Sequence, residues 1–454
     1  MLRSAGPCST TTLRLLAVSL PCLLKVTASM NPSAIEILGT VLFAIAVLHT
    51  FCVKKFAKWA HHYPEGSLQE NLLHFLAETE IVFGVWAALL FMGYALFKTS
   101  IAEAVQYIEG TLDFTEPKFV LAVMVVAATR PVVQLAERII EVVSRLIPLG
   151  SPNVSFYFTA LAFGPLLGSF ITEPAAMTLL AMLLRQRYFD QGIGKTLAYA
   201  TIGLLFVNVS IGGTLTHFAA PPVLMVAAKW EWGMGIMLQK FGWRAALACI
   251  VSTTIVVVLF FKQLKALELA EQKPRFIPSW LTATHVFFLG LVVFFSHHAD
   301  VFFGIFMLFL GLVTATREYQ EPLKLKEGLL VGFFLAGLVT FSKLQQWWLE
   351  PLIANMNATW LYYGATGLTA ITDNAALTLL GSQVPNLSEE MKFALLAGAV
   401  SGGGLTVIAN APNPAGAGIL QSSAAFGGEG INPGKLLLGA LMPTVITIAC
   451  FWLI

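Results

Sequence analysis

Hydrophobic positions along this chain do not alternate with polar ones; they come in long unbroken runs. Those at residues 37–53, 81–97, 245–261 and 436–454 each approach the roughly 20 residues that a helix needs to cross a hydrocarbon core of about 30 Å. They predict membrane-spanning helices, because lipid offers the backbone no hydrogen-bond partner and each segment must satisfy its own. Two further stretches, 131–147 and 344–356, are amphipathic and follow apolar spans at 120–128 and 331–339. That pattern predicts helices lying along the membrane surface.

One apolar text occurs twice. Residues 171–180 read Ile-Thr-Glu-Pro-Ala-Ala-Met-Thr-Leu-Leu and residues 371–380 read Ile-Thr-Asp-Asn-Ala-Ala-Leu-Thr-Leu-Leu, identical at seven of ten positions. Each copy carries one carboxylate, Glu173 or Asp373. The limbs flanking Glu173, at 155–170 and 175–188, reach only some 23 Å at about 1.5 Å per residue, too short to span. They predict a re-entrant helical hairpin with its tip at Thr172, Glu173 and Pro174, where a proline in the first turn of the returning limb removes no helical hydrogen bond. A second shared text follows each hairpin: the stretches beginning at Gly212-Gly213 and Gly402-Gly403 agree at six of eleven positions and end in prolines. Glycine pairs and prolines in an apolar span predict a broken helix; the other account of the glycines is close packing.

Composition makes lipid the solvent: 57% of the 454 residues are hydrophobic and 11% charged, with a mean hydropathy of +0.77. The chain is expected to be an all-α, multi-pass integral membrane protein of a bacterial inner or an organellar membrane. Cys8, Cys22, Cys52, Cys249 and Cys450 show neither paired nor metal-ligand spacing. With the N-terminus outside, most basic residues after Met30 fall in alternate connections, such as those holding Lys54 and Lys58, Arg130 and Arg145, Arg185 and Lys195, Lys273 and Arg275, and Lys324 and Lys326. On that parity five crossings, at 196–229, 243–262, 280–297, 301–316 and 327–342, separate the two carboxylate segments. An odd number inverts the second copy relative to the first.

The expected division is a leader at 1–29, N-terminal membrane segments at 30–117, a first repeat at 118–229, connecting helices at 230–327, a second repeat at 328–424 and a C-terminal helix at 425–454. The leader is basic and rich in Ser and Thr. It reads either as a signal or transit peptide or as a segment preceding a true start at Met30.

Two hairpin tips and two helix breaks bring oxygens together. Candidates are the Glu173 and Asp373 carboxylates, the Thr172, Thr372, Thr214, Thr216 and Thr406 hydroxyls, and the Asn374, Asn410 and Asn413 amides. Unwound carbonyls near Gly212, Gly213, Gly402 and Gly403 complete the set. Hard cations prefer such ligands, which points to Na⁺ held at Glu173 and Asp373. The start of a returning limb is the positive end of a helix dipole, but here the chain supplies its own anion at both tips, so the net field suits a cation or proton. A carboxylate that takes either Na⁺ or H⁺ is the simplest chemistry of exchange. Asp373 before Asn374 also fits a structural N-cap. His217, opposite Val407 in the repeat, fits either proton handling or a hydrogen-bonded core role, and Asn410 and Asn413 fit interhelical bonding. His297, His298 and Asp300 fall at a predicted external turn and need a further ligand from elsewhere to hold a metal.

With these features the chain resembles the ion transporter superfamily, which includes divalent anion/Na⁺ symporters, arsenite exporters and bacterial Na⁺/H⁺ antiporters of the B and D types. The Ile-Thr-Glu-Pro-Ala-Ala-Met-Thr text with the Gly-Gly break is most similar to a group described as "putative Na⁺/H⁺ antiporters", from about residue 80 onward. The resemblance places the tips at Thr172 to Pro174 and Thr372 to Asn374, and the ion-binding loops at Gly212 to Thr216 and Gly402 to Thr406. It also implies a homodimer. Neither tip has the Ser-Asn-Thr of the carboxylate symporters, which argues against a dicarboxylate. The resulting expectation is a secondary transporter exchanging Na⁺ or Li⁺ for H⁺, with no cofactor beyond those ions and no nucleic-acid partner. Alternatives are a Na⁺-coupled anion carrier on the same fold and a non-transporting membrane enzyme or scaffold. No P-loop, Gly-x-Ser-x-Gly or His-Glu-x-x-His pattern favours an enzyme.

Overall fold

The computed structural model describes residues 32–267, 276–426 and 430–454, and these are helical with no strand. The leader at 1–29, Cys8, Cys22, Lys273 and Arg275 lie outside the described residues. The chain enters through α1 (Ala34–Ala60), where Ser33 and Glu36 form a capping box in which the Ser33 amide donates to Glu36 at 2.7 Å. A short α2 (Leu68–Leu76) with no buried residue leads to α3 (Val82–Lys98) and α4 (Ile101–Thr111).

Next, α5 (Thr115–Ala127) and α6 (Arg130–Leu146) meet at 68°. Thr129 is extended at the junction and Pro131 stands in the first turn of α6, a combination that prevents the helix from running through. Ile139, Val142 and Leu146 stay exposed on α6 while Val132, Ala136 and Ile140 are buried, as expected of a helix lying across the others. Then come α7 (Pro152–Ala162) and α8 (Gly164–Ile171), bent by 41° before Pro165, followed by α9 (Glu173–Leu184) and α10 (Lys195–Gly212).

Helix α10 is apolar all round and 83% buried along its apolar window, against 17% for α1, so α10 forms the centre of the bundle and α1 lies at its exposed margin. After the first break stand α11 (Pro221–Ala227), a single turn α12 (Met234–Met237), α13 (Trp243–Ala266), α14 (Ser279–Phe294) and α15 (Ala299–Ala315). Elements thus occupy all five segments used for the parity count, although α14 and α15 measure only about 24–26 Å.

The second amphipathic stretch behaves unlike the first. Helix α16 (Leu325–Ser342) continues through a tight turn into α17 (Gln346–Ala354), and together they form one 30-residue apolar element. The expected surface helix at 344–356 is therefore not set off by a sharp bend, and the physical difference is the lack of a proline at the Ser342–Lys343 junction. The chain closes with α18 (Ala358–Thr369), α19 (Asn374–Ser382), α20 (Glu389–Gly402), α21 (Asn413–Gln421) and α22 (Pro433–Ile448). Among the described residues, five helical stretches are long and apolar enough to cross a membrane, or seven if each bent pair counts as one.

Candidate functional site

Helices α8 and α9 lie antiparallel about Thr172. Gly164 abuts Leu180, and a Cβ on Gly168 would stand 3.1 Å from that of Ala176. Thr172 makes the reversal with φ 71° and ψ 149°, a left-handed conformation that a β-branched residue adopts only under constraint. Glu173 then opens α9, wholly buried. Its amide donates to the Ala219 carbonyl at 3.2 Å, and its Oε1 accepts from Nδ2 of Asn410. Glu173 Oε2 and Thr172 Oγ1 are buried without a hydrogen-bond partner among the described residues.

The second tip uses the same loop carbonyl position through a different residue. There Asn374, not the acid, donates its amide to Ala409, the repeat counterpart of Ala219, at 3.1 Å. Proline at 174 has no N–H to give, so in the first copy the contact shifts one residue back onto Glu173. Asp373 is left half-buried as the N-cap of α19, its Oδ1 accepting from Ala375 N at 2.8 Å and Ala376 N at 3.2 Å. The capping role is thus real for Asp373, whereas Glu173 lies inside its helix and turns toward the other half of the chain.

Both expected helix breaks are present. Residues 213–220 and 403–412 leave the α-helix, and α11 and α21 resume at Pro221 and Asn413. The glycines also serve close packing: a Cβ on Gly212 would stand 2.5 Å from the Pro165 carbonyl oxygen, and one on Gly402 would strike that of Thr366. Gly213 borders the Glu173 carboxylate, and Gly403 abuts the Ser210 hydroxyl and the Asn374 amide.

Several predicted ligands fasten these loops. The hydroxyls of Thr214, Thr216, Thr372 and Thr406 donate to the carbonyls of Ile211, Ser169, Leu368 and Ala370 at 2.6, 2.6, 2.9 and 2.8 Å. Asn413 Nδ2 ties together the Gly403 and Thr406 carbonyls at 2.8 and 2.9 Å, and Ser169 Oγ donates to Gly212 O at 2.7 Å. At the tips and breaks, the buried oxygens without a hydrogen-bond partner among the described residues are a smaller set: Thr172 Oγ1, Glu173 Oε2, and Oδ1 of Asn374, Asn410 and Asn413.

The two halves interlock crosswise. Helix α9 packs on α21 of the second half, and α19 packs on α11 of the first. Asn410 reaches Glu173 across this boundary, and Asn374 reaches Ser210 Oγ at 3.5 Å from the other side.

Cavities approach from both ends of α5. Near its C-terminal end a space of about 740 Å³ is lined by Thr172, Pro174, Glu78, Glu80, Arg130 and Glu137, among others. Near its N-terminal end a space of about 320 Å³ is lined by Glu116, His217, Glu231 and His297. There the His217 and His297 rings face each other, centroids 6.5 Å apart and planes 16° from parallel. His217 thus meets His297 by ring stacking, and among the described residues no group of three or more His, Cys, Asp or Glu is arranged to hold a metal. A third space of about 540 Å³ holds Asp373, Asn410 and Glu80. Sequence reasoning passed over Glu80, Ser169, Ser210 and Asn208. The last three are polar residues inside apolar runs and fully buried, a signal that was available; Glu80 lies at a span boundary, where an acid attracts no notice.

No match to a curated protein accompanies this geometry. The family described as "Putative Na⁺/H⁺ antiporter" matches residues 34–454, which takes in the apolar helices, both tips and both breaks. The chain is a multi-pass integral membrane protein and belongs to that family.

Proposed function

We propose that this protein is a secondary transporter that exchanges Na⁺, or Li⁺, for H⁺ by alternating access between the cavities at the two ends of α5. One observation carries the reading: a fully buried carboxylate at a hairpin tip, Glu173, is bound on one oxygen by Asn410 of the other half and has no partner among the described residues on the second. An intramembrane acid of this kind is functional by default, and with the Thr172, Asn374, Asn410 and Asn413 oxygens it offers the hard ligands that a small cation replaces its water with. A proton occupies Glu173 when the cation has left, so a single buried group serves both ions. The crosswise packing of α9 on α21 and α19 on α11 supports two inverted repeats moving about one shared site.

Purified protein in liposomes, with an internal pH dye and an imposed Na⁺ gradient, tests this. Na⁺-driven pH changes are expected in the wild type and are expected to vanish in the Glu173→Gln, Asp373→Asn double variant. Persistence of the pH changes in that variant refutes the assignment. Na⁺-dependent anion uptake without proton movement would identify an anion carrier instead.

A further inference from the structure

Glu80 and Ala411 line both the 740 Å³ space beneath the first tip and the 540 Å³ space that holds Asp373. Glu80 thus stands at the junction of two compartments of opposite character. The larger is rich in charge: Arg130, Lys324 and Lys326 line it with Glu78, Glu137, Glu321 and Glu327, Arg130 pairing with Glu321 and Lys326 with Glu78 at 3.2 Å. The smaller is lined by Phe43, Phe83, Phe334, Leu368 and Ile371 among others, and among the described residues none of its lining groups is basic. Two carboxylates, Glu80 and Asp373, therefore border an apolar space that has no basic group among its own described lining residues. Charge in such surroundings is costly unless compensated.

A second observation points to the same guest. Asn410 lines this space, is only 1% exposed, and has no hydrogen-bond partner for its Oδ1 among the described residues, while its Nδ2 already holds Glu173. Asn410 therefore connects the smaller space to the buried acid. We propose that Glu80 is a third cation-binding carboxylate, a station at which a monovalent metal cation passes from the charged space to Asp373 and Asn410 and so to Glu173. This rests on the Na⁺/H⁺ exchange reading and extends it to a residue outside both repeats.

Glu80→Gln keeps the side-chain shape and removes the charge; Glu80→Asp keeps the charge on a shorter arm. In proteoliposomes the Na⁺ KM of Glu80→Gln is expected to rise at least tenfold with maximal rate reduced less, and Glu80→Asp is expected to fall between it and the wild type. A Glu80→Gln KM within twofold of the wild type overturns the proposal. Radioactive ²²Na⁺ binding to detergent-purified, monodisperse protein separates this from failure of the exchange reading. If the wild type moves no protons but binds ²²Na⁺, exchange is wrong. Glu80→Gln must then still weaken binding at least tenfold, and unchanged binding overturns the station. If the wild type binds no Na⁺ at all, both fall.

Discussion

Substituting Asp373 separates two roles that one side chain fills at the second tip. Its Oδ1 caps α19 through Ala375 N at 2.8 Å and Ala376 N at 3.2 Å, while its charge faces the space shared with Asn410 and Glu80. Asparagine caps a helix about as well as aspartate, whereas alanine leaves the amides without an acceptor, at a cost of about 1 kcal/mol within a range of about 0.5–2. Asp373→Asn is therefore expected to melt with the wild type. Asp373→Ala is expected to be less stable by about 1 kcal/mol, a roughly fivefold change in the folded-to-unfolded ratio.

For the bound cation the decisive quantity is charge. A contact made by an ionised group contributes about 1.5–3 kcal/mol, and each 1.4 kcal/mol is about tenfold in affinity. Both variants should then raise the Na⁺ KM by at least about tenfold. Tryptophan-fluorescence melting of purified protein reads the first effect, and Na⁺ titration of exchange in liposomes reads the second. Wild-type transport by Asp373→Asn would mean that Asp373 is only a cap and that the second tip binds no cation. Equal loss of stability in the two variants would refute the capping argument instead.

Other outcomes follow from the same contacts. Asn410→Ala removes both the donor to Glu173 Oε1 and an unpartnered oxygen; exchange should fall about tenfold or more with expression and monodispersity retained, and unimpaired exchange would remove Asn410 from the site. Gly402→Ala drives a Cβ into the Thr366 carbonyl, whereas Gly418→Ala meets nothing within 4 Å. The first should destabilise by about 1–3 kcal/mol and the second should be neutral or stabilising by up to about 1 kcal/mol, a contrast that thermal melting checks. Thr172→Gly relieves the left-handed strain at φ 71°, so melting no lower than the wild type is expected together with slower exchange from loss of the unpartnered hydroxyl. Destabilisation by more than about 1 kcal/mol would show that Thr172 packing outweighs its strain.

Much of this protein was determined by its sequence alone. Apolar runs, the duplicated carboxylate text and the Gly-Gly breaks are local signals: helix formation in lipid depends on composition over about 20 residues, and a break depends on glycine and proline within a turn or two. The tips at Thr172 and Asp373 and the breaks after Gly212 and Gly402 were legible for that reason. Only the tertiary structure decided how the two copies differ in use. Pro174 moves the hydrogen bond of the first tip onto Glu173, whereas Asn374 makes it at the second tip and leaves Asp373 as a cap, and the difference appears only once Ala219 and Ala409 are brought alongside the tips. Asn410 meeting Glu173, His217 facing His297, and Glu80 at the junction of two spaces join residues between 80 and 330 positions apart. Those meetings are set by the rotation and crossing of whole helices, which respond to packing among all their neighbours and leave no mark in the residues on either side.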